Sequence, residues 1–156
     1  MQPWMVIGGV TFLVSLGAFL IRPRDIKWEM KLDRPRWLVF EPLIPVIWTV
    51  VFVTGAASAT IVWNHAPGTL TTWLLMAVYL LLEVVTVAYI PATLRTRSLA
   101  VGTTLGAIGV VIGIALAIAV WYISPWATLL LLPYLAWSPI GTLTTGQMID
   151  LNPEAE

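Results

Sequence analysis

The chain has 156 residues, a formal net charge of zero and no cysteine; 59% of its residues are hydrophobic and only 10% are charged. Soluble domains usually carry about 25% charged residues, so this composition excludes an ordinary soluble domain and places most of the chain in lipid. The lack of cysteine excludes disulfides, thiolate metal sites and thiol nucleophiles, and no basic stripe indicates a nucleic-acid partner.

Hydropathy along the chain predicts five segments, each near the ~20 residues that cross a hydrocarbon core. They are residues 3–21, 43–63, 70–89, 98–122 and 125–149. A backbone in lipid must satisfy its own hydrogen bonds, so we predict an all-α integral membrane protein, a five-helix bundle in one domain over 1–156. The first segment lacks a basic stretch before it and a cleavage site after it, so we expect a helix and not a signal peptide.

All eight basic residues lie in the long connection 22–42 or in the short turn before the fourth segment. With five spans, these two connections face the same side of the membrane. The positive-inside rule then predicts an N-terminus outside and a C-terminus in the cytoplasm. Acidic and basic residues alternate in 22–42, so we expect a solvated lid or surface loop there.

The nine tryptophans divide into two groups by depth. Seven lie near predicted span ends, as interfacial anchors do: Trp4, Trp28, Trp37, Trp63, Trp73, Trp121 and Trp126. Trp48 and Trp137 lie inside the second and fifth segments, where an indole N–H needs a partner or a cavity. Packing against a backbone carbonyl is the simplest explanation for either residue alone.

Glu83 is the only acidic residue well inside a predicted span. Such a residue usually faces the bundle interior, and it is a candidate anchor for a pyrrole N–H, a basic ligand group or a proton. The alternative is a protonated carboxyl bonded to a neighbouring helix. Its expected partners are then Thr54, Ser58 or Thr60. The residues alone leave both explanations open.

Glycines on the predicted fourth helix are spaced for close backbone contact, as Gly102-xxx-Gly106 and Gly109-xxx-Gly113. Packing within one subunit, a homodimer, or docking into a larger membrane complex would each use them. His65, the single histidine, lies in a turn without an obvious carboxylate partner, so we predict no metal site.

Two separated motifs resemble the TspO/MBR family of translocator and tryptophan-rich sensory proteins. The stretch LDRPRWLVFEPLIPVIW, residues 32–48, resembles the family's first loop and second helix. The stretch LLLLPYLAW, residues 129–137, and the later Asn152 resemble its fifth-helix signature. Residues 93–100, TLRTRSLA, are similar to the basic turn before its fourth helix. The chain thus looks like a divergent bacterial-type member.

The resemblance implies five helices around a pocket that opens toward one membrane face and is capped by the first loop. Family members bind porphyrins and haem-pathway intermediates, sterols and benzodiazepine-type ligands, so the implied bound group is a porphyrin or haem-type tetrapyrrole. The family's pocket tryptophans match Trp48 and Trp137, its pocket phenylalanine matches Phe52, and its small pocket residue matches Gly141. With Glu83, these are the candidate ligand-binding residues.

The chain also departs from the family pattern. Val39 and Phe40 replace a tandem proline in the first loop, so we expect a lid of different shape. Glu83 takes the position of an Asn and Thr86 that of a Trp. No Tyr, Lys or Arg follows Trp137, so the family's C-terminal sterol motif is missing.

Three hypotheses remain at this stage. The first is a membrane receptor, sensor or carrier for tetrapyrroles or other apolar small molecules. The second is an enzyme that degrades porphyrins photochemically with the two indoles, as some family members are reported to do. The third is a structural subunit of a larger complex with a decayed pocket. We expect a location in the bacterial inner membrane or an equivalent membrane such as the thylakoid.

Overall fold

The computed structural model describes residues 1–156 and contains six α-helices and no β-strand. The helices are α1 (Pro3–Ser15), α2 (Pro23–Met30), α3 (Ile44–His65), α4 (Leu70–Thr96), α5 (Leu99–Trp121) and α6 (Pro125–Leu151). Single 3-10 turns follow α1 at Leu16–Phe19, precede α3 at Glu41–Leu43 and end the chain at Pro153–Ala155.

Helices α3, α4, α5 and α6 are each long and apolar enough to cross a membrane. Their positions confirm four of the predicted segments, with ends that differ by at most two residues except at one place. The prediction that the third segment ends at Tyr89 was wrong, because α4 continues to Thr96 with Pro91 inside it. The hydroxyl of Thr93 donates to the carbonyl of Tyr89 at 2.6 Å, beside the position where proline lacks an N–H.

The first predicted span, residues 3–21, was only partly correct. The α-helix stops at Ser15, tightens into a 3-10 turn up to Phe19, and then bends by 73° into α2. At the usual rise per residue, Pro3–Phe19 is roughly 28 Å long, close to the thickness of a hydrocarbon core. The bundle therefore has four candidate spans, or five when the bent pair is counted as one.

The expectation of an all-loop connection over 22–42 was wrong, because α2 lies within it. Pro23 stands at the first helical position and Asp25 in the first turn, and both are favourable at a helix N-terminus. These start signals were readable, but the alternating charges concealed them. As a result, the lid of the bundle contains a short helix.

The helices form a closed ring in the order α1, α3, α6, α5, α4, with α4 returning to α1. Four buried glycines of α5 hold this ring together: Gly102, Gly106, Gly109 and Gly113. A Cβ built at Gly109 would lie 2.6 Å from Oη of Tyr134, and those at Gly102 and Gly106 would overlap Thr93 and Thr142. The small face of α5 is thus used inside the subunit, which leaves no free glycine groove on it for a partner.

The two ends of the ring differ in packing. One end, called here the solid half, is a continuous core that includes Val62, Leu116, Val120, Ala127 and Leu131. Within it the hydroxyl of Ser58 bonds Oη of Tyr79 at 2.6 Å and donates to the carbonyl of Ala127 at 2.7 Å. The other end, the cavity half, holds the first loop, the α4–α5 turn and all eight basic residues.

Candidate functional site

A cavity of about 430 Å³ lies in the cavity half, between α3, α4, α5 and α6 and beneath the first loop. Its volume falls in the range of about 300–1,000 Å³ that is typical of small-molecule sites. The walls carry aromatic side chains from four elements: Trp28, Trp48, Tyr89, Tyr134 and Trp137. Flat surfaces of this kind suit a flat, largely apolar ligand.

Trp137 is placed at the cavity by the helical repeat of α6, which puts Tyr134, Trp137, Ser138 and Gly141 on one face. Its side chain is only 8% exposed, and its Nε1–H is buried without a hydrogen-bond partner. A buried unpaired donor costs about 1–3 kcal/mol. Gly141 keeps the space beside this N–H open, since a Cβ there would lie 3.8 Å from Nε1.

Other polar groups of the cavity wall are already bonded within the protein. Five threonines of the lining each donate to a carbonyl of their own helix: Thr86, Thr93, Thr142, Thr144 and Thr145. The hydroxyls of Tyr89 and Thr145 also bond each other across α4 and α6. The wall therefore offers hydroxyl lone pairs as acceptors, and the N–H of Trp137 as a buried donor that awaits a partner.

Trp48, Trp137 and Gly141 line the same cavity, but Phe52 and Glu83 do not. Trp48 and Phe52 lie along one face of α3 with ring centroids 6.2 Å apart, as their spacing predicted. Phe52 and Glu83 instead line a second void of about 30 Å³, deeper in the bundle. The expectation of one shared site for all five candidates was therefore wrong.

Glu83 is held by α1. The hydroxyl of Thr11 donates to Oε1 of Glu83 at 2.6 Å, and Thr11 is the only buried residue of α1. The partners named from the sequence were wrong. Ser58 is committed to Tyr79 and to the carbonyl of Ala127. The hydroxyls of Thr54 and Thr60 donate to carbonyls of their own helix.

The small void and the cavity are neighbours, because Thr86 and Tyr134 line both. The void is large enough for about one or two water molecules. Glu83 thus lies one side chain away from the cavity wall, and any influence on a ligand passes through Thr86 or Tyr134.

The first loop closes the cavity and is fixed to the end of α6. Asn152, only 2% exposed, accepts from the backbone N–H of Asp33 and donates to the carbonyl of Asp33, both at 2.8 Å. The indole N–H of Trp37 donates to Oε1 of Gln147 at 2.9 Å. Phe40 meets Trp137 edge-on, with ring centroids 6.0 Å apart. The residue that replaces a family proline thus contacts the buried tryptophan.

Three charged side chains line the cavity at this lid, and they form an ion triad of Arg34 with Glu29 and Glu41. Burial alone would lower the pKa of Arg34, but the charges of Glu29 and Glu41 outweigh it and raise that pKa above its ordinary value. The guanidinium therefore stays charged, and we call this group the roof triad.

A second ion pair fixes α2 to the α4–α5 turn, outside the cavity. Asp25 is fully buried, 2.7 Å from Nε of Arg22 and 3.6 Å from Nε of Arg97. Burial raises the pKa of Asp25, but the hydrogen bond from Arg22 and the charges of Arg22 and Arg97 outweigh it and lower that pKa. Asp25 holds the only other buried side-chain polar atom without a hydrogen bond, Oδ1.

The profile of the TspO/MBR family matches residues 5–150 of the chain. The chain belongs to the TspO/MBR family. A translocator protein from Bos taurus is 29% identical over 142 residues, which cover 86% of this chain and 83% of the relative. The resemblance predicted from the two tryptophan motifs is confirmed, and this TspO/MBR protein is a multi-pass integral membrane protein.

Sequence reasoning missed several residues of the site in this TspO/MBR protein. Tyr134 precedes Trp137 by three positions, so the helical repeat could have placed it on the cavity face. Phe40 and the roof triad had no such signal, because their positions depend on how the first loop folds back over the bundle. Asn152 was noted as part of the signature, but its bonds to the lid were not foreseen.

Proposed function

We propose that this TspO/MBR protein binds a tetrapyrrole, or a similarly flat apolar ligand, in the cavity and acts as a sensor or carrier for it. The observation that carries this proposal is the buried N–H of Trp137, which lies without a partner on the wall of an aromatic-lined cavity. A ligand with a hydrogen-bond acceptor would remove the cost of leaving that donor unpaired.

The shape of the cavity supports a flat ligand. Trp48 on α3 and Trp137 on α6 supply aromatic surface from two sides, while Gly106, Gly109 and Gly141 keep parts of the wall low. An extended macrocycle needs wide aromatic faces and few polar anchors. We expect Trp48 and Trp137 to contact it directly, and Phe52 and Glu83 to act from behind the wall.

The orientation of the protein is also a proposal. All eight basic residues lie at the cavity half, on the first loop and the α4–α5 turn. The positive-inside rule then puts the lid in the cytoplasm, the C-terminus inside and the N-terminus outside. A ligand released through the lid would enter the cytoplasm.

A titration tests binding. The protein in nanodiscs of uncharged lipid is titrated with protoporphyrin and with haem, and ligand absorbance is recorded against empty nanodiscs. We expect saturable binding, and affinities reduced by about tenfold in Trp48→Phe and in Trp137→Phe, the cost of one lost hydrogen bond or stacking contact. Trp126→Phe is the control, because Trp126 is 73% exposed and lies outside the cavity. Non-saturable signals, or equal affinities in all variants, would reject the proposal.

Because both indoles line one cavity, the photochemical alternative deserves a direct test with the same samples. The protein loaded with protoporphyrin is kept in the dark or illuminated, and the products are separated by chromatography. An enzyme would give a light-dependent product that is absent from both tryptophan variants. The same products with and without protein would reject this activity and leave the binding proposal standing.

A further inference from the structure

The roof triad carries the only charges that line the cavity. One guanidinium and two carboxylates, Arg34 with Glu29 and Glu41, give a net formal charge of −1. A ligand that fills the cavity places its outer edge next to this group. The charge of that edge therefore decides whether the roof attracts or repels the ligand.

The single cation of the triad is already engaged. Nε of Arg34 donates to Oε1 of Glu41 at 2.9 Å, and Nη1 donates to the carbonyl of Leu32 at 2.9 Å. Nη2 donates to the carboxylate of Glu29 and, at 3.5 Å, to its backbone carbonyl. Four of the five N–H groups of the guanidinium are thus directed at protein acceptors.

A ligand carboxylate binds arginine best through two parallel N–H bonds. Arg34 has fewer than two free, so a carboxylate at the roof would have to displace Glu29 or Glu41 and leave that glutamate unpaired. Glu29 and Glu41 each accept from Arg34 through Oε1 alone. Their remaining oxygens suit an N–H donor or a cation, and they would repel an anion.

The other cations of the first loop do not change this balance. Lys31 and Arg36 are exposed and do not line the cavity. Exposed charges are screened over about 8 Å at physiological ionic strength. The charge that a bound ligand meets at the roof is therefore that of the triad itself.

We infer that the roof triad selects ligands whose outer edge is neutral or cationic, and that it discriminates against ligands that present free carboxylates there. This inference rests on the proposed function and specifies its ligand class. Among tetrapyrroles, the favoured class is one with esterified, amidated or otherwise uncharged side chains at the edge that faces the lid. A built-in repulsion of this kind is a common source of ligand specificity.

The test compares protoporphyrin with its dimethyl ester, which has the same macrocycle but no carboxylates. Both are titrated against the wild type, Glu41→Gln and Glu154→Gln in identical nanodiscs. Glu154→Gln is the matched control, since it removes one negative charge from an exposed residue outside the cavity. Partitioning into lipid is the same for every variant, so the ester-to-acid affinity ratio can be compared between variants.

We expect the wild type to bind the ester about three- to tenfold more tightly than the acid, as partly exposed charges allow. Glu41→Gln should reduce that ratio to near one by raising the affinity for the acid, while Glu154→Gln leaves it unchanged. Glu29→Gln carries the same expectation and is used if Glu41→Gln unfolds at a lower temperature than the wild type.

Two results would overturn the inference. One is a wild type that binds the acid as tightly as the ester or more tightly. The other is an affinity ratio that stays the same when either glutamate is neutralised. In both cases the two porphyrins still bind and the proposed function stands. If neither porphyrin binds saturably, the proposed function fails, and the inference fails with it.

Discussion

Helix α6 runs through both halves of the bundle, and its two parts use their polar groups in opposite ways. In the solid half, the carbonyl of Ala127 accepts from Ser58, and Ala127 and Leu131 are almost completely buried in the core. In the cavity half, Trp137 is nearly as buried, but its N–H has no partner. Burial alone does not mark a ligand site in a membrane protein; an unsatisfied donor beside open space does.

The comparison also separates stability from function along one chain. The solid half is where side chains fill the space between helices, so its residues should determine how firmly the bundle holds. The cavity half leaves about 430 Å³ unfilled, so its residues should matter less for stability and more for ligands. The predictions below test this division.

The largest difference is expected between two leucines of α5. Leu116 is only 2% exposed in the solid half, whereas Leu105 lines the cavity. Leu116→Ala should lower the free energy of unfolding by about 2–3 kcal/mol, because it opens a void in close packing. Leu105→Ala should lower it by less than about 1 kcal/mol, since it only enlarges an existing space. Reversible unfolding in detergent measures both, and equal losses would contradict the division.

The lid is expected to come next. Asn152→Ala removes two hydrogen bonds to Asp33, so it should lower the free energy of unfolding by about 1–2 kcal/mol. Amide exchange in residues 31–43 should become faster, whereas exchange in the solid half stays unchanged. Leu151→Ala is a nearby control, because Leu151 is exposed. Unchanged exchange in the lid would show that Asn152 does not hold it.

A third contrast concerns two buried aromatic donors. Tyr79→Phe removes a satisfied hydroxyl that bonds Ser58, and it should cost about 0.6–1.7 kcal/mol of stability. Trp137→Phe removes an unsatisfied N–H, so its stability should stay within about 0.5 kcal/mol of the wild type although the residue is buried. Thermal unfolding without ligand compares them, and a large loss in Trp137→Phe would mean that the indole is part of the structural core.

The smallest stability effect is expected for Glu83→Gln. A glutamine oxygen still accepts from Thr11, so the free energy of unfolding should change by less than about 0.6 kcal/mol. We predict a changed ligand preference, because Thr86 and Tyr134 separate Glu83 from the cavity by one side chain. Identical affinities across a panel of tetrapyrroles would show that the small void is independent of the cavity.

The sequence predicted the parts of this structure that depend on local pattern. Hydropathy located α3, α5 and α6 to within two residues, and the spacing of the glycines predicted close packing of α5. Trp48, Trp137 and Gly141 were brought together in one cavity as expected. A repeating pattern along one helix is sufficient for such inferences.

The parts that depend on long-range closure could not be predicted. The 73° bend after α1 and the fold of the first loop decide where Phe40 and Arg34 lie, and neither follows from a local pattern. Glu83 was placed in the right half of its span, but its partner Thr11 lies 72 residues earlier in the chain. Ionisable groups in a bundle find partners by helix arrangement, which hydropathy does not encode.

The indole N–H signals of the nine tryptophans offer the most direct test of the central claim, that a ligand meets Trp137 in the cavity half. The ¹⁵N-labelled protein in nanodiscs is titrated with protoporphyrin dimethyl ester, and each signal is assigned by a Trp→Phe variant. We predict that Trp137 Nε1–H shifts most and Trp48 next, while Trp73 and Trp126 in exposed positions stay unchanged. Shifts confined to the exposed tryptophans, or no shift at Trp137, would contradict the account.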